Sequence, residues 1–440
     1  MAAEPRIEPA GPVAPIARWS LAKRLGFRFC FVYFGLFSLT TQILGGLLPI
    51  PALQFPDLAA KPPVRPMVFW TARHIFGITH QLVYTGSGSG DKTFDWVLAF
   101  CVLVLSALVC AVWSIFDRRR GDYIALDKWF RLGLRFVLGS EMLLYGIDKV
   151  IPLQMPFPYL AKLVEPYGNF SPMSVLWYSV GASPAYEMFV GSAEVLGGLL
   201  VMIPRTALLG ALICLADLAE VFTLNMTYDV PVKLFSFQLL LIAVLLVLPE
   251  TARLMRFFFL NRPVDRSRQP PLFGTSRANR VATVAQIAFA ILLLAGNAWG
   301  GWKAWYRYGG GRERSPLYGI WNVEELTVDG APAAGGPKGP IGWRRAIFDV
   351  PAIMAFQLTD DSFENYTVSL DVKTGKMALS QGPRSAKYVF AFQRPAPGEL
   401  TLDGAMYGHR VHAQLHLFDR NKLLLVNRGF HWIQEYPFSR

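Results

Sequence analysis

Residues 96–116 read WVLAFCVLVLSALVCAVWSIF and contain no charged side chain. At about 1.5 Å of rise per residue, a helix of this length covers roughly 30 Å, the thickness of the hydrocarbon part of a bilayer. A helix that is apolar on every side needs an apolar environment around it. The stretch therefore predicts a transmembrane helix.

Further apolar runs of similar length make the whole chain unusually apolar. Of its 440 residues, 53% are hydrophobic and only 17% are charged, which is more apolar material than one soluble core uses. Seven spans are predicted, at 25–49, 96–116, 129–148, 185–203, 206–226, 231–249 and 282–302. The predicted fold class for this part of the chain is an all-α membrane bundle of about seven helices.

Basic residues lie between the apolar runs and predict how the chain is oriented. Arg18, Lys23 and Arg24 precede the first span, and seven arginines lie between residues 253 and 280. Short cytoplasmic loops retain Lys and Arg, so the N-terminus is predicted to be cytoplasmic and the region after the seventh span extracytoplasmic. The net charge of +12 is thus explained by topology, and nucleic acid is not predicted as a partner.

After residue 312 the long apolar runs give way to short alternating segments. Nine strands are predicted, at 320–327, 342–349, 353–358, 366–372, 377–381, 388–393, 399–402, 409–418 and 423–430. Turn sequences such as Asp329-Gly330 separate them. This spacing predicts a small all-β barrel or sandwich.

Charged side chains within or beside the predicted spans indicate a candidate functional site. The candidate proton-relay carboxylates are Glu141, Glu194, Asp217 and Glu220, and the candidate outward-facing polar pocket consists of Lys149, Glu187, Asp229 and Lys233. An ionised group is costly in lipid, so each should face the bundle interior or a wet cavity. Because few cations accompany the carboxylates, at least one carboxylate is expected to hold a proton. The structural alternative is that the lysines pair with carboxylates and the other groups hydrogen-bond across helices.

Haem and metal chemistry receive little support from the histidines. His74 and His80 lie outside the predicted spans, so a bis-histidine haem within the membrane is not predicted. In the tail, His412 and His416 share one face of a predicted strand, but no carboxylate or cysteine pattern completes a ligand set. Surface histidines are therefore favoured, and no metal site is predicted.

Part of the helical region resembles a known family. Four stretches carry the resemblance: Tyr145-Gly-Ile-Asp-Lys149, Gly191-Ser-Ala-Glu-Val-Leu-Gly-Gly-Leu-Leu200, Pro204-Arg-Thr206 and Tyr228-Asp-Val-Pro-Val-Lys233. They resemble the DoxX family of bacterial membrane proteins over about residues 129–250. The resemblance implies a four-helix core in a bacterial inner membrane and an association with quinone-linked or thiol-linked redox systems. The chain has no exposed cysteine and so departs from the thiol-linked members, which argues against a dithiol mechanism. Quinone is the cofactor that the resemblance implies.

The β-rich tail carries a second, shorter resemblance. Gly319-Ile-Trp321, at the start of the first predicted strand, is similar to the Gly-x-Trp of lipocalin-like barrels. This resemblance implies a barrel interior that accepts a lipophilic small molecule.

The predicted organisation has six segments: an N-terminal cytoplasmic segment 1–24, two spans with an outer amphipathic segment 25–128, the DoxX-like core 129–250, a basic cytoplasmic linker 251–281, the seventh span 282–305 and an extracytoplasmic β-domain 314–440. The leading functional hypothesis is a component of a quinone-linked redox system that meets a membrane or periplasmic redox partner. Two alternatives stay open. One is a binding or export protein for a lipophilic ligand, and the other is a scaffold that recruits a partner without chemistry of its own.

Overall fold

The computed structural model describes residues 18–47, 57–265, 270–333, 341–382 and 385–439. Most of the predicted N-terminal segment, the last two residues of the first predicted span and residues 266–269 of the predicted linker lie outside the described residues. The chain forms two compact units. The first unit comprises Met1–Met142, Leu196–Thr223 and Pro231–Leu293, and the second comprises Leu143–Val195, Leu224–Val230 and Leu294–Arg440.

The helices of the described chain are α1 Leu21–Thr40, α2 Ile43–Gly46, α3 Val64–His74, α4 Thr93–Phe116, α5 Ile124–Val150, α6 Pro172–Gly181, α7 Pro184–Met202, α8 Ala207–Thr227, α9 Lys233–Val247, α10 Thr251–Phe258, α11 Ser276–Arg307 and α12 Leu424–Asn427. Each of the seven predicted spans overlaps one of them, namely α1, α4, α5, α7, α8, α9 and α11, although α1 ends at Thr40, nine residues before the predicted end of the first span. The helical prediction for this part of the chain is confirmed.

Five helices among the described residues are long and apolar enough to cross a membrane: α4, α7, α8, α11 and the run from Lys233 to Phe258 that contains α9 and α10. Helices α1 and α5 are 20 and 27 residues long but carry more charge, including Lys23, Arg24 and Arg28 in α1. After Thr93, the side chains that α4 exposes are apolar, for example Leu108 and Val112, as lipid requires. The chain is a multi-pass membrane protein.

The tail forms a closed barrel. Its strands are β1 Gly319–Val328, β2 Ala331–Pro332, β3 Trp343–Val350, β4 Ile353–Leu358, β5 Phe363–Asp371, β6 Lys376–Ser380, β7 Tyr388–Gln393, β8 Glu399–Met406 and β9 His409–Leu417. From β3 to β9 each strand pairs antiparallel with the next, and β1 pairs with β3 on one side and with β9 on the other. The β1–β9 ladder closes eight strands into a barrel, while the two-residue strand β2 pairs with the last two residues of β1.

Alternate side chains of the strands fill the barrel interior. In β7, Phe390 and Phe392 are buried whereas Val389, Ala391 and Gln393 are exposed, which is the period of two that a half-buried strand shows. The interior consists of large apolar side chains, among them Trp321, Trp343, Met354, Phe356, Met377 and Phe390. The barrel is therefore a packed core.

The predicted strand at 423–430 is wrong. The segment contains the short helix α12, Leu424–Asn427, and its side chains are largely exposed. A strand needs a neighbour with free backbone groups, but β9 already pairs with β8 and with β1. Closure of the barrel before residue 423 leaves no edge for another strand on this side.

Candidate functional site

Two glycines bring α5 and α7 into backbone contact in the second unit. A Cβ atom on Gly191 would lie 2.6 Å from the carbonyl oxygen of Gly146 and 2.6 Å from the Cβ atom of Lys149. A Cβ atom on Gly146 would lie 2.9 Å from the carbonyl oxygen of Gly191. Such approach between membrane helices is possible only where side chains are small. The two glycines lie in the stretches 145–149 and 191–200 of the sequence.

A buried ion pair lies beside this contact. The Lys149 Nζ atom on α5 is 2.5 Å from the Glu194 Oε1 atom on α7, and the exposed fractions of the two side chains are 7% and 4%. Glu194 lies one turn after Gly191, so the side chain that pairs with Lys149 and the glycine that admits α5 share a helix face. The close pairing of the two charges offsets the cost of their desolvation.

Glu187 adds a second carboxylate to the same face of α7, two turns before Glu194. The side chain is completely buried, and its Oε1 atom accepts a hydrogen bond of 2.9 Å from the backbone N–H of Met155. Its Oε2 atom has no hydrogen-bond partner among the described residues, and the carboxylate lies within electrostatic reach of Lys149. Lys149, Glu187 and Glu194 form the group that we call the α5–α7 polar cluster.

Glu141 also lies on α5, but its contacts belong to the first unit. It is buried, and its Oε2 atom accepts a 3.0 Å hydrogen bond from the Gln42 Nε2 atom. Its Oε1 atom lies 3.1 Å from the position that a Cβ atom on Gly46 would take, and it has no hydrogen-bond partner within the described ranges. The contacts of Glu141 thus connect α5 with α2 and with the residue that precedes it.

The four remaining predicted site residues lie in three kinds of environment. On α8, Asp217 is half-buried and Glu220 is exposed. Asp229 is exposed after α8, with a backbone φ of 53°. Lys233 begins α9, and its Nζ atom lies 3.7 Å from the Asp91 Oδ2 atom. Their roles in a relay or pocket stay predictions.

Asp91 is the polar contact that sequence reasoning missed. Its two carboxylate oxygens accept hydrogen bonds of 2.9 Å from the backbone N–H groups of Lys233 and Leu234, and Gly90 donates a 2.8 Å hydrogen bond to the Pro231 carbonyl oxygen. A carboxylate at this position satisfies N–H groups that a helix leaves unpaired and complements the helix dipole. The Gly-rich run 86–91 is thereby attached to the start of α9.

The histidines of the tail pair with aspartates on the barrel surface. The His409 Nδ1 atom lies 2.7 Å from the Asp329 Oδ2 atom, and the His412 Nδ1 atom lies 2.5 Å from the Asp403 Oδ1 atom. Among the described residues, no group of three or more His, Cys, Asp and Glu side chains is arranged to hold a metal ion.

These features define the class of the protein as a multi-pass helical membrane protein with a buried ion pair in its helical part and a C-terminal eight-stranded β-barrel. The uncharacterized protein YwoB of Bacillus subtilis (strain 168) is 31% identical to the chain over 145 residues, which are 33% of this chain and 91% of YwoB. At this identity and coverage, the chain belongs to the same family as YwoB. No family model and no solved structure matches the chain.

Proposed function

We propose that the protein is an inner-membrane component of a quinone-linked redox system and that the α5–α7 polar cluster is its quinone site. The observation that carries the proposal is the burial of Lys149, Glu187 and Glu194 side by side between two helices. Ionisable groups within a membrane bundle are functional by default, because their desolvation is costly. The resemblance of the same stretches to DoxX proteins supports quinone as the redox partner.

The chemistry of the cluster fits a quinone head group. Lys149 gives one N–H to Glu194, and an ammonium group has three, so it can also polarise a quinone carbonyl. Quinone reduction takes up protons together with electrons. The Glu187 Oε2 atom, without a hydrogen-bond partner in the described chain, is the natural acceptor or donor for such a proton, and Glu194 is the second.

Glu194→Gln tests this function because it removes a charge while preserving shape. We expect the wild-type protein, purified in mild detergent, to retain quinone that mass spectrometry detects, and the variant to lose most of it. The oxidised-to-reduced ratio of the membrane quinone pool should shift in cells with the variant. Ser192→Ala, at an exposed position on the same helix, is the control and should change neither quantity. Absence of quinone from the wild-type protein, with an unchanged pool ratio in the variant, would show that the proposal is wrong.

The proposed orientation places the N-terminus in the cytoplasm and the barrel on the opposite side of the membrane. Its support is the basic sequence before α1 and between α10 and α11. Val389 is exposed on the barrel surface, whereas the four native cysteines lie within helices. We therefore expect a membrane-impermeant maleimide to label Val389→Cys in spheroplasts. Labelling that occurs only after lysis would show that the barrel lies in the cytoplasm and that the proposed orientation is wrong.

The barrel interior does not favour the lipophilic-ligand alternative. The rings of Trp343 and Phe356 stack with their centroids 3.9 Å apart, and Phe390 packs against Trp343 at 5.9 Å. All three rings are buried in the interior. For this reason we assign the chemistry to the helical part.

A further inference from the structure

The first unit contains a large cavity that the proposed quinone site does not use. Its volume is about 1330 Å³, larger than the ~300–1,000 Å³ of ordinary small-molecule sites. It is lined by the first halves of α1 and α5, the end of α9, α10 and the start of α11. These are the helix ends that the distribution of basic residues predicts to be cytoplasmic.

The wall of the cavity carries an excess of positive charge. Six cationic side chains line it, namely Lys23, Lys128, Arg131, Arg135, Arg253 and Arg256, against three carboxylates, namely Asp127, Glu250 and Asp265. Two of the carboxylates are already paired within the wall, since Asp127 binds Arg131 at 2.8 Å and Glu250 binds Arg253. The described lining is therefore complementary to an anion.

Two of the cations are held by neutral oxygens. Arg135 donates from Nε to the Val201 carbonyl oxygen at 2.7 Å and from Nη2 to the Met202 carbonyl and the Gln286 amide oxygens. All three bonds come from Nε and Nη2. Lys128 donates to the carbonyl oxygens of Pro271 and Leu272 at 2.9 and 3.0 Å. These bonds fix both groups at the wall without neutralising them, and N–H donors remain for a ligand.

Apolar side chains form another part of the wall. Phe27, Phe130, Leu134, Leu245 and Leu248 line the same cavity. Cationic groups next to an apolar wall match a molecule with an anionic head and a hydrocarbon chain. Basic pockets between membrane helices on the cytoplasmic side are known to take anionic lipid head groups.

We propose that this cavity binds an anionic phospholipid from the surrounding bilayer. The phosphate accepts hydrogen bonds from Arg135 and Lys128, with Arg256 at the exposed rim, and one acyl chain lies along the apolar wall. Cationic side chains suit this role because hydrogen bonds from charged N–H groups to phosphate oxygens are stronger than those between neutral groups.

Lipid analysis of the purified full-length protein tests the proposal. We expect the ratio of phosphatidylglycerol to phosphatidylethanolamine retained in mild detergent to exceed the ratio in the source membrane. One basic group near a membrane surface contributes about 1 kcal/mol, or about fivefold in affinity. Arg256→Gln should lower the enrichment by about fivefold, and the double variant Lys128→Gln/Arg135→Gln should abolish it. Because Arg256 is exposed, its replacement is compatible with folding even if the double variant does not fold.

The control is Arg118→Gln/Arg119→Gln, which removes two exposed basic residues that do not line the cavity. This variant should retain the wild-type enrichment. If the control loses as much enrichment as the cavity variants, the enrichment comes from the overall positive charge of these helix ends, and the proposal is wrong. The proposal is also wrong if the wild-type protein shows no enrichment.

Thermal unfolding separates the two phosphate sources. Phosphatidylglycerol in mixed micelles should raise the midpoint, and an equal rise with inorganic phosphate alone would show that the site takes a free anion instead.

Discussion

The helical part and the barrel place charge in opposite ways. Among the described residues, every buried charged side chain lies in the helical part: Arg28, Glu141, Lys149, Glu187, Glu194 and Glu250. In the tail, the buried polar residues of the described chain are Ser315 and Gln357, both uncharged. The interior of the helical part thus contains charged side chains, whereas that of the tail contains none among the described residues.

The difference follows from what surrounds each part. A bundle in lipid gains little from burying apolar side chains, because its exterior is equally apolar, so close backbone packing and polar contacts hold its helices together. A barrel in water gains its stability from removing apolar surface from the solvent. Aromatic residues thus stabilise the barrel by their burial, whereas the charges of the α5–α7 polar cluster are tolerated in the bundle because they are paired with one another.

The largest expected effect comes from the barrel interior. Trp343→Ala removes a buried ring that stacks on Phe356, and such truncations cost about 3–5 kcal/mol. Hydrogen exchange of the β3 and β4 amides in the full-length protein should accelerate accordingly. Val389→Ala, at an exposed position of β7, should change exchange by no more than about 0.5 kcal/mol. Equal effects of the two variants would contradict the view that apolar packing carries the barrel.

The second prediction concerns the ion pair of the helical part. Lys149→Gln leaves Glu194 buried without its cation, at a cost of about 3 kcal/mol. Unfolding in mixed micelles of increasing dodecyl sulfate content measures the loss. The double variant Lys149→Leu/Glu194→Leu buries no charge and should recover most of the stability. A double variant as unstable as Lys149→Gln would mean that the pair acts through shape rather than charge.

Local sequence patterns were sufficient for most of the fold. The predicted strands 353–358 and 388–393 agree in both bounds with β4 and β7, because alternation and turn residues are properties of neighbouring positions. The predicted strand 423–430 failed because barrel closure depends on pairing between β1 and β9, far apart in the chain.

The candidate site was predicted only as a set of residues. Charge within apolar runs identified Lys149, Glu187 and Glu194, but spacing along the chain cannot show that Lys149 pairs with Glu194, 45 positions away. Asp91 was missed as the cap of α9 for the same reason, since its partner amides lie 142 and 143 positions further on. Contacts of this kind are decided by helix packing, which a single sequence does not display.

A smaller effect is expected at Asp91. Asp91→Ala removes the carboxylate that accepts the amides of Lys233 and Leu234, and loss of a helix cap costs about 1 kcal/mol. Hydrogen exchange of these two amides should accelerate by about fivefold to tenfold. Asp91→Asn keeps a capping oxygen and should lose less than Asp91→Ala. If the two variants are equally destabilised, the ion pair with Lys233 matters more than the cap.

The smallest effect is expected at Asp329, where the barrel does use a charge, but an exposed one. The hydrogen bond to His409, followed by the backbone N–H of Arg410, lowers the pKa of the Asp329 carboxyl below its ordinary value. The folded state therefore favours the ionised form. This contribution to stability is present above the ordinary aspartate pKa of about 3.9 and is lost as the pH falls through the lower folded value. Wild-type protein should lose slightly more barrel stability than Asp329→Asn between about pH 5 and about pH 3, measured by exchange of the β1 and β9 amides. Parallel profiles for the two proteins would show that the charge of Asp329 contributes nothing to the stability of the barrel.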